Sequence, residues 1–120
     1  MGYTTDFEGS FSFNRPLTVA EKNELDEIND KDWRDDENKP GEYCYRCQWT
    51  SNETATALEW DGGEKFYGYV EWLKWLIKNF FKPKEILLNG KVLWFGEESR
   101  DLGKIIVKDN NVLLGKCQRG

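Results

Sequence analysis

The residues that could carry chemistry in this sequence are a pair of cysteines, a run of acids and a glycine-rich acidic turn, and histidine is absent. The absence of histidine removes the usual general base, the commonest metal ligand and every histidine-based catalytic triad. Carboxylate and thiol chemistry stay open. The composition therefore favours a protein that is not an enzyme, with no catalytic residues and no cofactor.

Cys44 and Cys47 are spaced as C-x-x-C, which is typical of a redox pair or of half a zinc site. A redox pair needs its first cysteine at a helix N-terminus, whereas this one lies in a strand-like run. A zinc site needs four ligands, and Cys117 is the one remaining cysteine. We therefore expect structural thiols and no bound metal. Three cysteines without a secretion signal also favour a reducing, cytoplasmic compartment.

The glycine-rich acidic turn consists of Trp60, Asp61, Gly62, Gly63 and Glu64. Its carboxylates could bind a hard cation through oxygen, and its N–H groups could bind an anion, although the adjacent acids disfavour an anion. The alternative is structural: Asp61 caps a following helix, and the glycines allow a tight turn. The same residues are our candidates for binding a small ligand.

Acidic residues are concentrated in the first third of the chain. Residues 1–42 hold 12 acids and 5 bases, whereas residues 43–120 hold 10 acids and 12 bases. Such a surface could attract a basic partner, or it could be only a solvated face. We predict partner-binding roles for Asp30, Asp32, Asp35 and Asp36. No basic face is evident, which disfavours direct binding to nucleic acid.

Trp72 and Trp75 lie three residues apart on a predicted helix. One of them must approach the edge of the apolar arc, where an exposed aromatic would be a typical interface anchor. The alternative is that both pack in the core. We predict that this pair binds a partner together with the acidic residues.

The elements that must position these residues follow from periodicity. Alternation predicts a strand over residues 3–13, and a capping box of Thr18 and Glu21 predicts a helix after it. An acidic surface helix and loop are expected at about residues 18–42, and a central helix at about 64–81. Further strands are expected over 43–50, 54–60, 85–88, 91–95, 104–108 and 112–114.

Turn residues connect these strands. Asn89-Gly90 is the strongest short hairpin signal, and Asp109-Asn110-Asn111 predicts another turn. The order β-α-β-β-α-β-β-β predicts an α+β fold, in which a mostly antiparallel sheet of about six strands has two helices packed on one face. At 120 residues the chain suits a single domain.

No signal peptide or membrane span is predicted. The start of the chain has neither a basic nor an apolar targeting region. The longest apolar segment, 66–81, contains Glu71, Lys74 and Lys78 and is too short to cross a bilayer. We expect a cytoplasmic protein without a membrane partner.

Several blocks also resemble a group of uncharacterised small bacterial and phage or prophage proteins. The blocks are Met1-Gly2-Tyr3-Thr4-Thr5-Asp6-Phe7, Cys47-Gln48-Trp49, Glu59-Trp60-Asp61-Gly62-Gly63-Glu64-Lys65-Phe66-Tyr67, Tyr69-Val70-Glu71-Trp72-Leu73 and Leu88-Asn89-Gly90. The resemblance implies a phage or mobile-element origin and implies no mechanism.

These observations predict a non-enzymatic binding protein that acts as an adaptor or inhibitor through a host protein partner. A first alternative is a small-ligand binder, for a nucleotide or a sugar, that uses aromatic residues and the Asp61 turn. A second alternative is a carboxylate-metal enzyme at the same turn.

Overall fold

The computed structural model describes residues 3–116, which form one six-stranded antiparallel sheet and two α-helices. The elements are β1 (Thr5–Phe13), α1 (Val19–Asp30), β2 (Trp49–Ser51), β3 (Ala57–Trp60), α2 (Tyr69–Leu76), β4 (Leu88–Gly96), β5 (Leu102–Lys108) and β6 (Asn111–Lys116). The spatial order of the strands is β2-β3-β1-β4-β5-β6. The prediction of an α+β fold, with an antiparallel sheet of about six strands and two helices, is confirmed.

The core lies between the sheet and the helices. Phe7 and Phe11 of the central strand β1 are buried, whereas Asp6 and Glu8 on either side of Phe7 face solvent, as the alternation predicts. Leu25 of α1 belongs to the same buried cluster, as do residues of α2. Both helices therefore cover the same face of the sheet.

The first helix begins as the capping box predicts. The Thr18 hydroxyl accepts from the Glu21 N–H at 3.1 Å, and a Glu21 carboxylate oxygen accepts from the Thr18 N–H at 2.8 Å. Arg15 donates to both oxygens of Glu21 at 2.8 Å. Only Leu25 of this helix is fully buried, and the other end of α1 is attached by Asn29, which donates to the Cys47 and Trp49 carbonyls at 3.0 and 2.7 Å.

The central helix starts later than predicted, at Tyr69 instead of about residue 64. The preceding Gly68 is left-handed at φ 69°, and Gly62 is left-handed at φ 86°, so the chain cannot propagate a helix through this segment. Asp61 consequently does not cap α2. Beyond Leu76 the helix continues as a π-helical segment, Ile77–Phe81, and a 3-10 turn, Lys82–Lys84.

The predicted hairpin at Asn89-Gly90 is wrong, because both residues lie inside β4 and pair with β1. Gly90 has φ 153°, and a Cβ there would lie 2.4 Å from the Ser10 carbonyl oxygen. This glycine serves the close approach of two strands instead of a turn. The predicted strands 85–88 and 91–95 are thus replaced by one strand.

The turn predicted near residue 109 is confirmed and has a further role. Asp109 and Asn110 are left-handed, at φ 47° and 70°, and connect β5 to β6. Asn110 also accepts from the Leu88 N–H at 2.8 Å and donates to the Ile86 carbonyl at 2.9 Å. The turn therefore fixes the entry into β4.

The hairpin strands before α2 are shorter than predicted, since β2 begins at Trp49 and β3 at Ala57. Cys44 and Cys47 are both buried although they lie three residues apart, which is incompatible with the two-residue period of a strand.

Within residues 3–116, no helix is long and apolar enough to cross a membrane.

Candidate functional site

The first candidate site is a cleft between the acidic loop, residues 31–40, and the exposed side of α2. It encloses about 640 Å³. Lys31, Asp36 and Asn38 line it from the loop, and Glu71, Trp75 and Lys78 line it from the helical side. We call it the loop–helix cleft. It brings one predicted aspartate, Asp36, together with one predicted tryptophan, Trp75.

Three tryptophans attach the acidic loop to the helix. Trp33 packs edge-to-face on Trp72 and Trp75 at centroid distances of 5.5 and 5.2 Å, and the latter two rings are 5.6 Å apart. The indole N–H of Trp33 donates to the Ile28 carbonyl at 3.0 Å. The indole N–H of Trp75 donates to the Asn38 carbonyl at 2.9 Å. The loop is therefore held in place at both ends of its acidic run.

The two predicted tryptophans of α2 have different exposures. Trp72 is fully buried, and its indole N–H has no hydrogen-bond partner among the described residues. Trp75 is half-buried and lines the loop–helix cleft. The partner-binding prediction therefore has to be corrected for Trp72, which packs in the core, and can apply only to Trp75.

Two of the predicted aspartates shape the loop. Asp32 accepts from the Arg34 N–H at 3.0 Å, which forms a local side-chain turn. Asp36 accepts from the Asn38 N–H at 2.7 Å and forms an ion pair with Lys31. The hydrogen bond from Lys31, followed by that from the Asn38 N–H, lowers the pKa of Asp36 below its ordinary value.

The other two predicted aspartates are free to meet a partner. Asp30 and Asp35 are exposed, and within residues 3–116 neither makes a side-chain hydrogen bond or ion pair. Glu37 is likewise exposed, and within residues 3–116 its side chain makes no hydrogen bond or ion pair. Asp30 ends α1, and Asp35 and Glu37 belong to the acidic loop, but none of the three lines the cleft.

Several polar groups of the Asp61 turn are bonded within the protein. Asp61 accepts from the Gly63 N–H at 2.7 Å. The buried Gln48 donates to the Glu64 carbonyl at 2.8 Å and accepts from the indole of Trp60 at 3.0 Å. A Cβ on Gly63 would lie 2.9 Å from the Asp61 carboxylate and 3.0 Å from the Gln48 side chain. This arrangement explains the residues of the turn by packing.

The sequence also makes the Asp61 turn a candidate for binding a hard cation through carboxylate oxygens. In the part of the chain that the structure describes, cysteine, aspartate and glutamate side chains form no group of three or more that could hold a metal ion. The Asp61 turn lines neither the loop–helix cleft nor the pocket described below.

The two inner thiols are shielded from solvent. Cys44 is 1% exposed and Cys47 is fully buried. Burial raises the pKa of Cys47 to about 12, and burial together with the charge of Glu71 raises the pKa of Cys44 to about 11. Both groups are protonated at neutral pH and are poor nucleophiles. Cys117 lies outside the described residues.

A second cavity, of about 460 Å³, lies at the start of α2 and was not predicted from the sequence. We call it the tyrosine pocket, and its lining residues are Gly41, Glu42, Tyr43, Cys44, Tyr67, Gly68 and Glu71. Helical periodicity predicts that Tyr67 and Glu71 lie on one polar stripe, and it does not indicate that Tyr43 lies beside them. The sequence signal that could have indicated the pocket is the placement of Gly41 and Gly68 close to tyrosines.

Comparison with known proteins gives no assignment. No protein-family model, curated protein or solved structure matches this chain. The resemblance to phage and bacterial proteins therefore stays a prediction, and any function must be argued from the residues themselves.

Proposed function

We propose that this chain is a non-enzymatic binding protein, an adaptor or inhibitor that contacts a host protein through the loop–helix cleft and the acids around it. The observation that supports the proposal best is the position of the acidic loop against α2, which brings Asp36 and the half-buried Trp75 to one cleft and ties Trp75 to the Asn38 carbonyl. We also propose a phage or mobile-element origin and a cytoplasmic site of action. The motif resemblance supports the origin, and the thiol composition supports the compartment.

Charge supports a basic partner. Asp30, Asp35 and Glu37 are exposed carboxylates without an ion pair among the described residues. Such charges steer the encounter of two proteins and suppress unsuitable partners, and they add less to the final affinity. Both walls of the cleft itself carry both signs of charge, so the attraction for a basic partner comes from these three acids outside its lining.

The tryptophan supports a specific interface. Trp75 is held by its hydrogen bond to Asn38 and by the rings of Trp33 and Trp72. A partner would therefore meet a side chain whose rotamer is already fixed, and little conformational entropy is lost on binding. Fixed aromatic anchors of this kind carry much of the affinity in protein interfaces.

A capture experiment with matched variants tests the proposal. The immobilised protein is exposed to bacterial lysate beside a loop variant, Asp30→Lys/Asp35→Lys/Glu37→Lys. The control variant Asp6→Lys/Glu8→Lys/Glu97→Lys changes the net charge equally, at exposed positions outside the loop.

We expect one host protein to be retained by the wild type and the control and to be lost by the loop variant. Retention of the same proteins by all three baits, or of none by the wild type, would contradict the proposal.

A further inference from the structure

The tyrosine pocket has two aromatic walls, a closed floor and an acidic rim. Tyr43 is 62% exposed and Tyr67 is 39% exposed, so both rings are accessible to a ligand. The floor is Cys44, which is 1% exposed. Glu42 and Glu71 are exposed at the rim.

Two glycines keep the pocket open. A Cβ on Gly68, which has φ 69°, would lie 2.2 Å from the Cys44 sulfur and 3.2 Å from a carboxylate oxygen of Glu71. A Cβ on Gly41 would lie 3.2 Å from the same sulfur. Any side chain at position 68 would therefore collide with the floor. The cavity depends on the close approach of two backbone segments that are far apart in sequence.

The electrostatic character of the pocket is negative. Its lining contains two carboxylates and no basic residue. Within residues 3–116, neither Glu42 nor Glu71 has an ion pair. Lys39 also acts on Cys44 electrostatically, but its ammonium group donates to the Arg34 carbonyl at 2.6 Å. The two rim carboxylates are thus available to a cation from outside.

The aromatic walls are equally available. In this protein the neighbouring ring of Tyr45 already has two cations near it, Arg34 at 5.1 Å and Lys39 at 5.4 Å from the centroid. Among the described residues no cation lies over Tyr43 or Tyr67. The hydroxyl of Tyr67 accepts from the Tyr3 N–H at 3.1 Å, which helps to hold that wall in place.

We propose that the tyrosine pocket binds an arginine side chain from a basic segment of the partner protein. A planar guanidinium stacks on tyrosine faces and donates in parallel to carboxylates, so it matches both the walls and the rim. An ammonium is a point charge that cannot stack and bridge in the same way. The inference rests on the proposed function, because it names the chemistry that the partner supplies.

A titration followed by nuclear magnetic resonance tests the pocket without the partner. Labelled protein is titrated with the peptide acetyl-Gly-Arg-Gly-amide, with its lysine equivalent, and with its citrulline equivalent, which is neutral and nearly isosteric. We expect saturable shifts at the amides of Gly41 and Gly68 with arginine and about tenfold weaker binding with lysine. Citrulline should give no saturable shift, and a citrulline response equal to that of arginine would overturn the inference.

Variants test whether the amide shifts in the titration come from binding in the tyrosine pocket. Glu42→Gln and Tyr43→Ala change residues that line the tyrosine pocket and not the loop–helix cleft, and each should weaken arginine binding about tenfold. Lys74→Ala changes the cleft and not the pocket, and should leave the titration unchanged. The amide spectrum of each variant reports its folding. Unchanged binding in both pocket variants would overturn the inference.

The two proposals can fail separately. If the peptide does not bind but the loop variant still loses a captured partner, the protein-binding function stands and the arginine site is wrong. If the peptide binds in the pocket but the wild type captures nothing, the arginine site stands and the proposed interface at the loop–helix cleft is wrong.

Discussion

At the scale of single residues, burial determines the chemistry of the two inner cysteines. The C-x-x-C spacing alone leaves redox and zinc roles open, and the exposures of 1% for Cys44 and zero for Cys47 argue against a reactive thiolate. The sequence could not supply this result, because both thiols are buried by residues distant along the chain. For example, Gly68 lies against the sulfur of Cys44.

This burial predicts thiol reactivity. In a Cys117→Ser protein at pH 8, iodoacetamide should leave Cys44 and Cys47 unmodified while the protein is folded, because raised pKa values of about 11 and 12 leave little thiolate. Both should be modified in urea. Mass spectrometry measures the extent of labelling, and rapid modification of Cys44 in the folded protein would contradict the burial argument.

A second residue-scale prediction concerns Glu21 and pH. Hydrogen bonds from Arg15, and then from the Thr18 N–H, lower the pKa of Glu21 from 4.5 to about 2. A carboxyl with a lowered pKa in the folded state stabilises the protein above its unfolded pKa. This contribution is lost as the pH falls from about 4.5 towards 2.

Glu21→Gln should therefore reduce the free energy of unfolding at pH 7 by about 1 kcal/mol. The value is modest because the Arg15 side chain is 39% exposed. The loss of stability between pH 4.5 and 2 should also become shallower. Urea denaturation across that range measures both effects. Glu24→Gln, at an exposed ion pair with Lys84, is the control and should change stability by less than about 0.5 kcal/mol.

At the scale of elements, local signals were reliable where the interaction they imply is local. Thr18 and Glu21 form their predicted capping box, and Asp109 with Asn110 forms its predicted turn. Asn89-Gly90 fails because its strand pairs over nine residues with β1, far away in sequence, and this long-range ladder outweighs a two-residue preference. The α+β architecture could thus be predicted, but the register of its central strands could not.

Gly90, which the sequence predicts in a turn and which lies inside β4, gives a prediction at the scale of elements. Gly90→Ala should lower the free energy of unfolding by about 3 kcal/mol, because strain at φ 153° adds to a collision with the Ser10 carbonyl. Gly62→Ala is the matched control: φ is 86°, but no atom lies within 4 Å of the new Cβ. We expect a loss of about 1 kcal/mol there. Equal losses in chemical denaturation would show that strand proximity does not restrict position 90.

At the scale of the whole molecule, the candidate site was predictable in composition and not in geometry. The acidic run and the tryptophan spacing are visible in the sequence, and the fold places Asp36 and Trp75 on one cleft. The sequence could not show that Trp72 is buried, since both tryptophans fit the apolar arc of α2. It also could not show the tyrosine pocket, because Tyr43 and Tyr67 meet only through tertiary packing.

Whole-molecule charge gives the last prediction. The uneven distribution of charge, net −7 in residues 1–42 against +2 in the rest, creates a field that the proposed basic partner would meet before contact. Salt screens exposed charges beyond about 8 Å at physiological ionic strength, so the association rate should fall steeply as salt is added, while the dissociation rate changes little. Stopped-flow mixing with the captured partner, at several salt concentrations, measures both rates.

The variants of the capture experiment separate steering from net charge. Asp30→Lys/Asp35→Lys/Glu37→Lys should slow association at low salt, and the difference from wild type should shrink as salt rises. Asp6→Lys/Glu8→Lys/Glu97→Lys alters the total charge equally and should slow association much less, because local potential near the interface controls the encounter. Asp36 is left unchanged in both, since its bonds to Lys31 and Asn38 shape the loop. Equal slowing by the two variants would mean that net charge acts alone and that the acidic loop only keeps the protein in solution.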